Sequence, residues 1–276
     1  MKRALVFDSG VGGLSVLDAI AASGVAVELD YVADNAWLPY GLKSDAELAA
    51  RIPALIARMA AQWAPDAVVL ACNTASTIAL DQTRAALSVP VIGVVPPIKP
   101  AAAATKTGVI GLLATPATVR RIYTNQLIAD FAADKRVVRH GSAELVAAAE
   151  AKLRGERVDQ KAILDAIAGL FGAPGGAEID VVALACTHFP LLIEELKAAA
   201  PRQCLWLDSG EAIARRLANV LILPPGEAHA RRAGFTSASA AAALFPAFYA
   251  RGFSALADIA PAPSFEATPI PDIAAA

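Results

Sequence analysis

A single stretch of this chain occurs twice. Asp66-Ala-Val-Val-Leu-Ala-Cys72-Asn-Thr-Ala-Ser recurs as Asp180-Val-Val-Ala-Leu-Ala-Cys186-Thr-His-Phe-Pro, sharing Asp, Val, Leu, Ala and Cys position by position. Each copy is a short apolar run ending at a Cys followed by small polar residues. That is the pattern of a buried parallel strand delivering a side chain at its carboxyl end. Two thiols, one from each half, are therefore candidates for one site.

A chain of 276 residues can bury one large core or two of ordinary size, and the repeat favours two. The apolar fraction of 56% is inflated by alanine and contains no uninterrupted run long enough to cross a bilayer, so a soluble protein with no membrane partner is expected. Met-Lys-Arg leads straight into the strand Ala4-Leu5-Val6-Phe7 without a secretory pattern, which points to the cytoplasm. In that reducing compartment the three cysteines are expected as free thiols. A net charge of −2 with scattered Lys and Arg offers no stripe for nucleic acid, leaving a small-molecule site as the default.

Along the chain strands alternate with helices. Strand 1 ends at Asp8, and Ser9-Gly-Val-Gly-Gly-Leu-Ser15 turns into a helix whose N-terminus suits a carboxylate or phosphate. The glycine spacing fits neither nucleotide fingerprint, so a nucleotide is the weaker reading. Val25–Val32 is a second strand, followed by a turn-rich segment through Pro39-Tyr40-Gly41. Ser44-Asp-Ala-Glu47 is a capping box opening a helix to about Trp63. After the Cys72 strand come a helix to about Leu87, a strand over Val89–Val94, and a Pro-rich passage that reads as a crossing between domains.

The alternation then restarts with a strand over Thr107–Leu113 and a helix from Val119 to about Ala132. A short strand Val137–His140, a helix holding Glu144 and Glu150, another over Asp159–Phe171, and the Cys186 strand follow. Asp208-Ser209-Gly210 echoes Asp8-Ser9-Gly10 and suggests a return to the first domain. From Glu227 onward one or two Ala-rich helices are expected, then a Pro/Ala-rich tail. The fold expected is α/β, two doubly wound parallel-sheet domains related by pseudo-symmetry, with the active site in the cleft between them. The first domain takes residues 1–96 plus 207–276 and the second residues 97–206.

Free cysteines are most often packing residues, the reading adopted for Cys204. Cys72 and Cys186 differ from it in their matched contexts just before helices, where a thiolate becomes accessible. Matched thiols on opposite domains suit a base on one face of a carbon and an acid on the other, which is the requirement for inverting a stereocentre by proton transfer. His188, two residues beyond Cys186, is either a proton-transfer partner or a packed, hydrogen-bonded ring. No His or Cys cluster has metal-ligand spacing, so no metal is expected.

Five motifs in order carry a resemblance over nearly the whole length. They are Phe7-Asp8-Ser9-Gly10-Val-Gly-Gly-Leu-Ser-Val, Pro39-Tyr40-Gly41, Ala71-Cys72-Asn73-Thr74-Ala-Ser, Ala114-Thr115-Pro-Ala-Thr118 and Ala185-Cys186-Thr187-His188-Phe-Pro-Leu-Leu. Together they resemble the glutamate racemases, cofactor-independent members of the aspartate/glutamate racemase superfamily. The resemblance implies interconversion of L- and D-glutamate for peptidoglycan, without pyridoxal phosphate, metal or nucleotide. It implies that Cys72 takes the α-proton of the D enantiomer and Cys186 that of the L enantiomer, with Asp8 and His188 assisting.

By the same resemblance Asp8, Ser9, Pro39, Tyr40, Gly41, Asn73, Thr74, Thr115, Thr118, Thr187 and His188 are substrate-binding positions. Asp34 and Glu150 match acidic supporting positions, against which stands the reading of each as a solvated surface carboxylate. Phe189 departs from the family's usual Tyr. A homodimer is the general expectation for such a protein. A racemase of aspartate or another small amino acid shares the two-thiol logic, a decarboxylase would need only one proton donor, and a non-catalytic amino-acid-binding protein would need neither thiol.

Overall fold

The computed structural model describes residues 1–254 and 256–259. The first run of elements is β1 (Arg3–Asp8), α1 (Leu14–Ala22), β2 (Val27–Ala33), α2 (Asp45–Trp63), β3 (Ala67–Leu70), α3 (Asn73–Ala86) and β4 (Val91–Gly93). The chain then passes through α4 (Ile98–Ala104) into β5 (Val109–Ala114), α5 (Pro116–Arg120), α6 (Ile122–Phe131), β6 (Arg136–Gly141), α7 (Glu144–Leu153), α8 (Gln160–Phe171), β7 (Val181–Leu184), α9 (Ile193–Ala199) and β8 (Leu205–Leu207). It returns through α10 (Gly210–Leu221) to β9 (Ala228–Phe235), α11 (Ala238–Ala241), α12 (Phe245–Tyr249) and β10 (Leu256–Asp258).

Two parallel sheets result. One has the order β10-β9-β2-β1-β3-β4 and the other β6-β5-β7-β8. Within the first, the block β2-β1-β3-β4 has the same order as β6-β5-β7-β8, which is the pseudo-symmetry. Each block reverses winding direction between its two central strands, β1 and β3 or β5 and β7. Ligands of open α/β sheets bind outside the carboxyl ends of the strands at that reversal. Cys72 lies two residues past the end of β3 and Cys186 two residues past the end of β7, so the repeated motif delivers one thiol to each reversal point.

Covered faces explain the near-continuous apolar strands. Along β1, Ala4 and Val6 join a core with α1 and α10, while Leu5 and Phe7 join one with α2 and α3. The helices α1 and α10 meet through Leu17, Ile20, Ile213 and Leu217, all buried. The capping box at the start of α2 forms as expected, with Ser44 and Glu47 satisfying each other's backbone N–H groups.

Two expectations need correction, and two further readings are refined. The segment after Glu227 forms strands as well as short helices. β9 pairs along the open edge of β2, and buried Asp30 holds Arg232 through two hydrogen bonds of 2.9 and 2.7 Å. Ala-rich and basic, β9 carries no strand signature of its own, and its conformation is imposed by the edge it covers. The helix expected over Val119–Ala132 breaks at Arg121, whose ψ of 141° is extended, and Thr124 Oγ1 ties the break by donating to Thr118 O at 2.7 Å. The Pro-rich passage contains α4. The echo of Asp8-Ser9-Gly10 at Asp208-Ser209-Gly210 is not a symmetry pair, because Asp208 follows β8, the counterpart of β4. By pairing with β2 and β6, the counterpart of Asp8 is Ala114. The Pro/Ala-rich tail lies outside the described residues from position 260 onward.

Candidate active site

The two reversal points face each other across one narrow cavity of about 30 Å³. Its walls are Ser9, Tyr40, Gly41, Cys72, Asn73, Thr74, Thr115, Thr118, Val146, Ala185, Cys186, Thr187 and His188. Eleven of the residues singled out from the sequence as binding or catalytic thus meet at one place. Val146 and Ala185 are additions that no sequence pattern distinguished from core. Asp8, Pro39, Asp34 and Glu150 are not wall residues.

Cys72 is the N-cap of α3 and is buried, with Ser9 Oγ 3.7 Å from its sulfur. Burial pushes its pKa above the ordinary thiol value and the charge of Asp8 adds to this, against the Ala75 N–H and Ser9. The group therefore keeps its proton at neutral pH. Asn73 beside it has a buried side-chain oxygen with no hydrogen-bond partner among the described residues, an acceptor available to an N–H of a ligand.

On the other side, Cys186 Sγ lies 3.9 Å from His188 Nδ1, and His188 Nε2 lies 2.9 Å from Glu150 Oε1. The ring is buried, which works against its charge. Its hydrogen bonds to Cys186 and Glu150, with the charges of Cys186 and Asp8, outweigh burial and raise its pKa well above the usual histidine value. For Glu150 burial likewise works the other way, and the partnership with His188 and the Val11 N–H lowers its pKa overall. The two carboxylates expected either to support the site or to sit on the surface are both buried. Glu150 spans the cleft, since the oxygen facing His188 also accepts the Val11 N–H at 2.9 Å.

Asp8 is fully buried below the cavity, where desolvation raises its pKa against the pull of His188 and the Gly10 N–H. It accepts from Gly10 N at 2.9 Å and from Thr187 Oγ1 at 3.4 Å. Asp34 anchors the Tyr40 wall from behind. It accepts from Tyr40 OH at 2.7 Å, from Arg51 Nε and Nη2 at 2.6 and 2.7 Å, and from Thr236 Oγ1 at 2.8 Å. Trp37 stacks on that guanidinium, 4.4 Å from ring centroid to Cζ. Burial and the adjacent Asp34 hold the Tyr40 hydroxyl far above its ordinary pKa, so it remains a donor.

Arg51, Thr236, Tyr31 and Ser15 were not foreseen as parts of the site. Tyr31 donates to Gly10 O at 2.7 Å, and Ser15 donates to Thr187 O at 2.8 Å across the cleft. Their types fit core and helix positions equally well, and only the meeting of distant segments gives them these partners. Cys204 is half-buried against the second core and donates to Ile179 O at 3.4 Å, outside the cavity. Among the described residues no group of three or more His, Cys, Asp or Glu side chains converges as metal ligands do.

Chemically, the cavity offers a protonated thiol on one wall and a thiol beside a charged imidazole on the other. Between them are hydroxyls, amides and the N-terminus of α3. Neutral donors of this kind bind carboxylates and developing negative charge without protonating a sulfur base.

Residues 15–217 match the model of the Asp/Glu/hydantoin racemase family. A glutamate racemase of Sphingopyxis alaskensis is 56% identical over 216 residues, covering 78% of this chain and 81% of that protein. The crystal structure of Escherichia coli glutamate racemase in complex with L-glutamate and the activator UDP-MurNAc-Ala superposes with a TM-score of 0.86 at 42% identity, covering 94% of this chain and 98% of that one. An aspartate racemase homologue from Pyrococcus horikoshii, at 17% identity and TM-score 0.51 over 79% of this chain and 98% of that one, shares the fold.

Proposed function

The chain belongs to the Asp/Glu/hydantoin racemase family, and from that premise we propose that it interconverts L- and D-glutamate by a two-thiol proton transfer. The observation that carries the reading is the placement of Cys72 and Cys186 on opposite walls of one cavity, each at the reversal point of its own sheet. Glutamate is preferred over aspartate because the 56%-identical relative is a glutamate racemase, whereas the aspartate racemase homologue shares the fold alone.

With L-glutamate, the Cys186 sulfur takes the α-proton, and the electron pair of the broken C–H bond passes into the α-carboxylate as an enediolate. Cys72 then gives its proton to the opposite face. The enzyme is left with the protons exchanged between its thiols, which is the form that accepts D-glutamate. His188, held charged by Glu150, stands beside the Cys186 sulfur and assists proton transfer on the L side. Asp8 assists on the Cys72 side. Asn73 Oδ1 accepts a hydrogen bond from the ammonium, and Ser9, Thr74, Thr115, Thr118, Thr187 and the Tyr40-Gly41 backbone hold the carboxylates.

This chemistry needs no pyridoxal phosphate, metal or nucleotide. We place the protein in the cytoplasm, supplying D-glutamate to peptidoglycan, and read it as a homodimer. No helix of the described residues is long and apolar enough to cross a membrane.

Purified protein given L-glutamate in deuterated water, with no added cofactor, is expected to form D-glutamate and to incorporate deuterium at Cα. Cys72→Ala and Cys186→Ala should each abolish racemisation. Activity surviving in both variants would sink the mechanism, and turnover of aspartate without glutamate would move the substrate.

A further inference from the structure

We propose that Arg121 and Asp45 form a latch across the mouth of the cleft, and that its breaking sets how often the site opens. The proposal rests on the reading above only in taking the cavity as the place that admits substrate. A cavity of about 30 Å³ has room for about two waters. The two walls must therefore part to admit an amino acid, and what ties them at the outer edge controls that motion.

The lips of the mouth are the Tyr40-Gly41 turn on one side and Thr115–Thr118 on the other. They approach closely, since a Cβ placed on Gly41 would stand 3.9 Å from Ala117 Cβ. Among the charged residues that follow each lip in the chain are Asp45 on one side and Arg121 on the other. Asp45 is the first residue of α2, after the Tyr40–Leu42 turn, and Arg121 occupies the break between α5 and α6. The guanidinium reaches over and donates two bonds, Nη1 to Oδ2 at 3.0 Å and Nη2 to Oδ1 at 3.1 Å.

Among the ion pairs of the described residues, this one alone joins an element packed on the four-stranded sheet to one on the six-stranded sheet. The other ties across the cleft are buried or neutral. Val11 N–H donates to Glu150, Thr187 to Asp8, and Ser15 to Thr187 O. Ser209 Oγ donates to Val95 O at 2.5 Å, joining the two chain crossings between the sheets. That bond sits at the chain crossings, whereas the latch ties the segments that follow Tyr40-Gly41 and Thr115–Thr118.

Exposure decides how the latch behaves. The Arg121 side chain is 16% exposed and Asp45 68%, so water and salt compete for the carboxylate. A bidentate pair in that setting shifts the open-to-closed ratio by up to about fivefold, enough to modulate admission without locking the site.

The test is the iodoacetamide labelling rate of Cys72 and Cys186, followed by peptide mass and referred to Cys204, which lies outside the cleft. Asp45→Asn and Arg121→Gln should each speed labelling of the two cleft thiols by about two- to fivefold relative to Cys204. The exchange of both charges, Asp45→Arg with Arg121→Asp, should restore the slow rate. Raising salt to about 0.5 M should speed labelling of the unsubstituted protein and leave the single variants unchanged.

Asp45→Asn also removes an acid from the first turn of α2, whereas Arg121→Gln does not, so agreement of the two isolates the pair. Labelling rates that are the same in all forms would overturn the latch. Because labelling needs no turnover, a protein that shows this pattern yet fails to racemise glutamate would overturn the proposed function and leave the latch standing.

Discussion

Glu150→Gln tests the proton-handling assignment most sharply, because it removes a charge and almost no volume. In the structure one carboxylate oxygen accepts the Val11 N–H and faces His188 Nε2, both at 2.9 Å. A glutamine oxygen can keep the first contact, so the fold across the cleft should survive. What is lost is the charge assistance to His188. A hydrogen bond to a charged group is worth roughly 1.5–3 kcal/mol against about 0.5–1.5 for a neutral one. The difference between the middles of those ranges, about 1.2 kcal/mol, if expressed in the transition state for transfer at Cys186, lowers kcat/KM roughly eightfold.

Because the enantiomers have equal free energy, that fall must be the same from L- and D-glutamate, so the rate alone cannot say which thiol was affected. The α-deuterium isotope effect can. If Cys186 takes the proton of the L enantiomer, its step becomes more limiting in the variant, and the isotope effect on kcat/KM should grow more from labelled L-glutamate than from labelled D-glutamate. Equal growth on both sides, or growth confined to the D side, would refute the assignment of His188 and Glu150 to Cys186.

Three further outcomes follow from the same geometry. Gly12→Ala would set a Cβ 2.4 Å from His188 Nδ1 and 2.7 Å from Thr187 Oγ1. Displacing His188 should cut kcat/KM on the order of 100-fold, with Tm measured alongside to show that the protein folds. Asp34→Asn leaves Arg51 largely buried without its counter-charge and should cost about 3–5 kcal/mol in chemical denaturation, whereas Thr236→Val, removing one neutral donor from the same carboxylate, should cost about 1 kcal/mol. The pH dependence of Tm should carry the signature of the Glu150 and His188 pair. His188, raised above 6.5, contributes stability that is complete below pH 6.5 and lost as pH rises through its folded value. Glu150, lowered below 4.5, contributes stability that is complete above pH 4.5 and lost as pH falls through its folded value. The pair is thus fully stabilising between pH 4.5 and 6.5, and Glu150→Gln should flatten the alkaline decline.

The repeated apolar run ending in Cys72 and Cys186 was legible because burial on both faces forces a parallel strand to be apolar throughout. A residue just past its end must then appear at the sheet's carboxyl edge. The alternation of strands and helices, the capping box at Ser44 and the hydroxyls following each strand were local in the same sense, which is why eleven named residues meet in one cavity. What lay outside local reach was every feature decided by a partner distant in the chain. The segment Ala228–Phe235 became a strand only because β2 has an edge to cover. Asp34 and Glu150 could equally have been surface carboxylates, and they are buried because Arg51, Tyr40 and Thr236 close on one and His188 with the Val11 N–H on the other.

The sequence by itself therefore determined that two thiols come to matched positions at the ends of two strands, since periodicity and chain direction fix where a side chain emerges. Tertiary structure alone decided the electrostatic surroundings of each. Cys72 is raised by its burial and by Asp8, while a charged His188 stands beside Cys186 because a carboxylate 38 residues away reaches it across the fold. A pKa is set by the whole surroundings of a group, and those surroundings exist only once the two sheets have closed on each other.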